Sequence, residues 1–430
     1  MNLSERPPRV MRSFGATLMS INGMIGAGIF ALPALLYNAA GNFSPWLFLI
    51  FGLLCVCAVL VAARLATLFS ASGGPQLYVE TAFGPFTGFQ VGWIILIAMA
   101  AGRAATLYVL VSYLAVFFPF LEGPIARPAA TLALLLILGG ISISGMRNSI
   151  TGLGIGTAIK LTPILILCIF GLATGNVAAE FALPDFGTFE SVALLVYFAF
   201  SGTVAATYCA GEVEDPRRTI PRSMLLSLAA IIILYMLVQF AYIAAGAPGS
   251  NSDATPLAAA AGVFLGQAGV VVMTLGAIFS IAANSLTFFI SGPRMVYGMA
   301  DRGLLPGGLA AVSDRFKTPH RAILLFTLIV AGICLSGTFE FLATITSLGA
   351  QIASLVVCAA FVALHGPGEI SFGAPMKPIW FLILAIAVAF SIYAIMQAPL
   401  EAFALVGLLI AIGTALYWMT ARQRFSAAAG

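Results

Sequence analysis

Two ionisable residues stand inside long apolar runs of this 430-residue chain: Lys160, in Thr157-Ala158-Ile159-Lys160-Leu161-Thr162-Pro163, and Arg103, in Ala101-Gly102-Arg103-Ala104. An amine held away from water can gain and lose a proton as its surroundings change, and a buried guanidinium can orient a carboxylate or reject a cation. Each has a plainer reading. Lys160 lies about 9 Å along a helix from the inner end of its run, within reach of a snorkelling stem, and Arg103 can hydrogen-bond to carbonyls or face a watery vestibule.

Other chemistries are missing their parts. None of the three Lys follows a Gly, so the chain has no phosphate-binding G-x-x-x-x-G-K-[ST] loop. His320 and His365 are far apart in sequence, without the spacing of a zinc site. The six Cys all fall in apolar stretches and read as small core residues. No cofactor, metal or enzymatic activity is expected.

The elements that must position Lys160 and Arg103 follow from composition. Hydrophobic residues make up 61% of the chain and charged ones 8%, against about a quarter charged in soluble domains. The surrounding solvent is therefore lipid. Segments of about 20 apolar residues mark membrane-crossing helices, and twelve are expected: 14–37, 43–63, 86–118, 128–142, 155–173, 191–211, 224–246, 269–292, 322–335, 341–364, 379–396 and 402–420. With the N-terminus inside, sixteen of the nineteen Lys and Arg fall in inner segments, Arg127 alone falls outside, and Arg103 and Lys160 lie within spans. This asymmetry predicts a multi-pass protein of the cell membrane with both termini cytoplasmic. The net charge of +4 then reflects topology, and nucleic-acid binding is not expected.

Two spans are interrupted. The first carries Gly23-Met24-Ile25-Gly26-Ala27-Gly28-Ile29-Phe30 and the sixth Phe198-Ala199-Phe200-Ser201-Gly202-Thr203. Glycines at mid-membrane weaken a helix and serve either close helix packing or an unwound segment lining a polar cavity. Spans one and six each open a set of five, and since five is odd the second set enters from the opposite side. Paired interruptions in inverted halves point to a central binding site. A half-helix that begins near Gly26 to Gly28 offers free N–H groups to a carboxylate, and one that ends near Phe200 and Ser201 offers carbonyls to an ammonium. Together they suit the zwitterionic head of an amino acid.

These residues resemble the amino acid/polyamine/organocation transporter superfamily, whose leucine-transporter-like fold is all-α, with an inverted 5+5 repeat, broken helices 1 and 6, and two further C-terminal helices. The likeness also includes Gly211-Glu212-Val213-Glu214-Asp215-Pro216-Arg217-Arg218-Thr219-Ile220-Pro221-Arg222 after span six and Ala300-Asp301-Arg302-Gly303-Leu304-Leu305-Pro306 after span eight. It implies a cytoplasmic tail at 1–13, repeats at 14–174 and 189–364, the extra helices at 376–421 and a second tail at 422–430. It implies that Met24, Ile25, Gly26, Ala27, Gly28, Phe200, Ser201 and Gly202 border the substrate, that Phe198 is an aromatic gate rather than a plain core residue, and that Asn284 of span eight adds to the lining. Arg103 falls near the substrate side chain. Lys160 takes the place of a coupling cation, bonding to carbonyls between Asn22 and Ile25. Glu212, Glu214 and Asp215, standing among Arg217, Arg218 and Arg222, either form ion pairs that close the inner end of the path or are solvated loop charges, the plainer reading.

The expectation is a secondary transporter of neutral amino acids, working by alternating access with proton coupling. An exchanger and a carrier of acidic or cationic amino acids or polyamines stand as alternatives. A channel would need a continuous polar pore, which the apolar spans lack, and a membrane-embedded enzyme would need a catalytic cluster at one depth. The partners expected are the amino acid, a proton and the lipid bilayer; the oligomeric state is left open.

Overall fold

The computed structural model of the chain describes residues 12–69, 74–144, 150–174, 183–205, 207, 213–247, 254–313, 315–334, 337–365 and 377–428. Fourteen α-helices occur among them: α1 Ser13–Met24, α2 Gly28–Ala40, α3 Ser44–Ala66, α4 Pro75–Phe83, α5 Pro85–Ala115, α6 Ala126–Ser144, α7 Ile150–Ala173, α8 Phe186–Ala199, α9 Pro216–Ala244, α10 Pro256–Asp301, α11 His320–Cys334, α12 Phe339–His365, α13 Pro378–Met396 and α14 Leu400–Ala428. Proline stands in the first turn of α3, α4, α5, α9, α10 and α13, where its missing N–H costs nothing and its fixed φ suits the helix.

Eight helical stretches among the described residues are long and apolar enough to cross a membrane, and Ile159–Ala173, Phe186–Ala199 and His320–Cys334 are shorter apolar helices. The chain is thus an all-helical, multi-pass membrane protein. Every expected apolar segment falls on a helix, but two are not continuous. The first is divided into α1 and α2, and the sixth stops at Ala199, where Phe200 leaves helical geometry.

Two elements were not foreseen. The short helix α4 falls between the expected spans 43–63 and 86–118, where Gln76 and Glu80 interrupt the apolar pattern. The helix α10 begins well before the expected Gly269, and Gly266 at φ 59° breaks it into a leading segment and the span proper. Residues 1–11, 145–149 and 208–212, which include Arg6, Arg9, Arg147, Cys209, Gly211 and Glu212, lie outside the described residues.

The bundle is centred on α5, which is buried along most of its length and packs against α10, α11 and α12. Around it α1 and α3 pack on α9, α2 on α8, and α7 on α9 and α10, while α13 and α14 lean on the outside of α3, α5 and α12. Those two outer helices expose Ile379, Phe381, Leu382, Leu400, Leu408, Trp418 and Met419. Large apolar side chains turned outward are what lipid contact requires. Helices in lipid gain little from apolar burial alone, so close fit decides their packing. A Cβ added at Gly171 of α7 would stand 2.6 Å from Ala241 Cβ and 2.7 Å from its Cα on α9. Gly171→Val is therefore expected to part α7 from α9 at a cost of about 1–3 kcal/mol, read as a fall of several degrees in Tm of the purified protein. Ile169→Val, at a residue that is 65% exposed, should leave Tm unchanged.

Candidate functional site

The interruption in the first span spans only a few residues. Ile25 ends α1 at φ −74°, ψ 87°, Gly26 N–H folds back onto the Met24 carbonyl at 2.8 Å, and α2 restarts with Phe30 and Ala31 N–H donating to Ala27. Among the described residues, the N–H groups of Ala27, Gly28 and Ile29 have no acceptor. The carbonyls at the end of α1 are satisfied from other helices. Asn284 of α10 donates its Nδ2 to Asn22 at 2.6 Å, Tyr235 of α9 donates to Met24 at 3.0 Å, and Lys160 of α7 donates to Ile25 at 3.4 Å. Asn22 in turn donates its own amide to Thr157 of α7 at 2.6 Å.

The second interruption follows α8. Phe200 and Ser201 N–H close turns onto Tyr197 and Phe198, and Gly202 takes φ 98°, a conformation costly for any residue with a Cβ. The carbonyls of Phe198, Ala199 and Phe200 accept from Ser201 Oγ, Tyr235 and Thr203 Oγ1. The Phe198 carbonyl thus accepts twice, from the N–H and the Oγ of Ser201, whereas those of Ala199 and Phe200 each keep a second lone pair.

The two interruptions touch. A Cβ on Gly202 would meet the Gly23 carbonyl oxygen at 2.5 Å, and one on Gly23 would meet the Gly202 oxygen at 3.1 Å. Glycine at both positions is what lets the two main chains cross.

Beside the crossing lies a cavity of about 160 Å³. Its walls are Phe200 to Ala205 from the second interruption, Ile95 to Arg103 from α5, Cys55 to Ala62 from α3, Phe288 from α10, and Thr346 to Cys358 from α12. Among these described residues Arg103 carries the only charge, and no acid is present. Arg103 is 6% exposed. It donates Nη1 to Asn284 Oδ1 at 2.5 Å and stacks on Phe288, with Cζ 3.9 Å from the ring centre.

Of the residues singled out in the sequence, Phe200, Ser201, Gly202 and Arg103 line this cavity, whereas Met24, Ile25, Gly26, Ala27, Gly28, Phe198, Asn284 and Lys160 do not. The start of α2 is covered by the end of α8: a Cβ on Gly28 would stand 3.3 Å from Ala199 Cα and 3.6 Å from Phe198 Cδ1. Phe198 sets its ring edge-on against Phe339 of α12, 5.7 Å between centres. Asn284 stands between Arg103 and the main chain of α1. Lys160, only 1% exposed, points into the bundle and does not snorkel.

The cavity extends past Ala62 and Pro75 on one side and Val357 and Cys358 on the other, toward the helix ends that carry Arg64 and His365. Outside the cavity lining, Arg12 pairs with Glu214 at 3.3 Å, Arg218 with Asp215 at 3.8 Å and Arg302 with Glu80 at 2.9 Å. Glu212 lies outside the described residues. Exposed pairs of this kind contribute little to stability.

Two crossed helix breaks beside a membrane-buried cavity are the arrangement of a carrier. Residues 12–420 match the amino acid permease family. The chain belongs to that family.

As a permease of the amino acid/polyamine/organocation superfamily it carries solutes and is not an enzyme. Among its relatives are an uncharacterised transporter of Mycobacterium tuberculosis, 29% identical over 96% of this chain and 92% of the relative. The methylthioribose transporter of Bacillus subtilis is 27% identical over 98% and 95%. The serine/threonine exchanger of the same organism is 28% identical over 72% of each chain.

The sequence reading passed over Tyr235, whose buried hydroxyl is within hydrogen-bond distance of one carbonyl from each interruption. Its single proton serves both. A signal existed: Tyr235 and Gln239 are four residues apart in the apolar C-terminal half of α9, a polar stripe that in lipid has to face the interior. Gln239 donates to the Pro33 carbonyl at 3.0 Å and to Ser44 Oγ at 2.8 Å, tying α9 to α2 and α3. Tyr235→Phe would remove the only described donor to the Ala199 carbonyl, while Met24 keeps Gly26 N–H. A cost of about 1–3 kcal/mol is expected from the stranded buried acceptor, read as a lower Tm with the helical circular dichroism signal retained.

Proposed function

We propose that this permease carries small neutral α-amino acids across the cell membrane by alternating access, coupled to a proton through Lys160. The observation that carries the reading is the crossing of two unwound main chains at Gly23 and Gly202 beside a cavity whose described lining holds no acid. N–H groups left bare at the start of a helix, and capped carbonyls at a helix end that keep a second lone pair, complement a molecule bearing both signs of charge. A cationic amino acid or polyamine would need an acidic partner in the cavity to offset its extra charge.

Twelve spans are proposed, adding α7, α8, α11 and the divided α1–α2 to the remaining long helices. The charge asymmetry supports cytoplasmic termini, and the odd number of helices in each set supports inverted repeats over 14–174 and 189–364. In that orientation the cavity extends toward the cytoplasm. The opposite path is shut by Phe198 on Phe339 and by Ser347 donating to the Leu194 carbonyl at 2.7 Å. This is an inward-facing arrangement, with Phe198 as the closed outer gate.

The coupling role of Lys160 is supported by its place. Its ammonium donates to Ile25, the residue at which α1 loses its helical geometry. Loss of the proton would turn a charge-assisted bond into an ordinary one, loosening α1 at the break. Exchange is the second reading, favoured by the relative that is a serine/threonine exchanger.

Reconstituted into liposomes, the chain is expected to take up labelled serine, threonine or alanine saturably. Uptake should rise when the outside is made acidic and should be competed poorly by lysine. Lys160→Ala should keep substrate binding and counterflow but lose accumulation driven by the pH gradient. Uphill uptake unchanged in that variant would rule out proton coupling through Lys160. Dependence on amino acid preloaded inside, with no response to pH, would establish exchange.

A further inference from the structure

The break in the first span is tied to its surroundings by a chain of hydrogen bonds that begins in the cavity and ends beside Lys160. A guanidinium can only donate, so Arg103 Nη1 on Asn284 Oδ1 fixes which way that amide faces and leaves its Nδ2 to the Asn22 carbonyl. The opposite orientation would set two oxygens against each other. Asn22 uses both protons of its own amide, one on the Leu18 carbonyl at 2.9 Å and one on Thr157 Oγ1 at 2.6 Å. Thr157 stands three residues before Lys160, on the neighbouring turn of α7 and the same side of that helix. Lys160 in turn donates to Ile25, three residues after Asn22. Both ends of the stretch from Asn22 to Ile25 are therefore held by one face of α7. At 3.4 Å the Lys160 bond is close to the limit of hydrogen bonding, so a shift of α1 by a few tenths of an ångström would lose it.

We propose that Arg103, Asn284, Asn22 and Thr157 form a relay between the cavity and Lys160. Arg103 is its positioning residue: through the two amides it keeps the Ile25 carbonyl within reach of the ammonium. This rests on the proton-coupling reading above and adds the path by which an occupant of the cavity is felt at the proton site. A solute that moves the guanidinium loosens the hold of Asn284 on α1, and loss of the proton from Lys160 frees the same stretch of α1 from the other side. Influence in one direction requires equal influence in the other. Among the described residues, no charge on the neighbouring helices bypasses the relay. Of the helices packed on α7, α1 carries no charged side chain. The helix α9 brings Tyr235 to the same break, with Arg217, Arg218 and Arg222 at least thirteen positions earlier. On α10 the charges are Arg294 and Asp301, ten and seventeen positions beyond Asn284.

The test is a double-mutant cycle across the relay, with the full-length chain in liposomes and labelled L-threonine. Accumulation driven by an acidic exterior is divided by counterflow measured without a pH gradient, so that a general loss of activity cancels. Thr157→Val keeps the shape of the side chain and removes its hydroxyl. It is expected to lower this ratio about fivefold, the worth of one hydrogen bond, and to move half-maximal uptake to more acidic pH, because the Lys160 ammonium loses its acceptor. Thr157→Ser should restore both. Arg103→Met should lower the ratio as well, and the double variant should fall no further than the lower of the two singles. If Arg103→Met fails to fold, Arg103→Gln takes its place in the cycle. The relay is overturned if either single variant keeps the wild-type ratio, or if the two losses multiply in the double variant, as independent sites require. With Lys160→Ala defective in uphill uptake, those results leave proton coupling standing and remove the relay alone. Uphill uptake unchanged in Lys160→Ala removes the coupling reading, and the relay falls with it.

Discussion

A main chain that leaves its helix inside lipid has to find every hydrogen bond again within the protein, because the bilayer supplies none. In this permease that constraint is met at two places that touch. The carbonyls ending α1 are taken up in order by Asn284, Tyr235 and Lys160, which come from three different helices, and those ending α8 by Tyr235 and local hydroxyls. The donors at the start of α2 stay bare. The breaks are thus asymmetric: acceptors are occupied, donors are free, and the local character favours an anion.

The side chains that cap α1 make its position sensitive to the rest of the bundle. Lys160 brings a titratable group, Asn284 brings Arg103 and the cavity behind it, and Tyr235 brings the second break. Each of these connections ends within a few residues of Ile25, so a change at any of them alters the same turn of main chain. A carrier that alternates between two faces needs a hinge of this sort, where a few hydrogen bonds, individually modest, decide which way a half-helix leans.

The packing around the breaks serves the same end. Gly202 lets the backbones cross at a distance that a Cβ there would not allow, and at Gly23 a Cβ would be tight. Aromatic side chains from several helices fill the space around the crossing, with Phe48, Phe200 and Tyr235 in mutual edge or tilted contact.

Much of this was legible in the residues themselves. Apolar run lengths gave every span a helix, because a crossing segment must satisfy its backbone internally and that leaves a signal about twenty residues long. The breaks at Gly26 and Gly202 were legible too, since glycine in mid-membrane is locally unfavourable wherever it is not required. The short α4 and the leading segment of α10 were not, because neither has the length or uniform polarity that marks a span. What only the tertiary structure decided is which groups meet. Nothing in the order of the chain says that Tyr235 reaches Met24 and Ala199 together, that Arg103 grips Asn284, or that the cavity passes Phe200 to Ala205 while the start of α2 stays covered. Those pairings join residues tens to hundreds of positions apart. They depend on helix rotation and depth, set by packing contacts of a few ångströms, whereas hydropathy and glycine placement record only what each segment needs by itself.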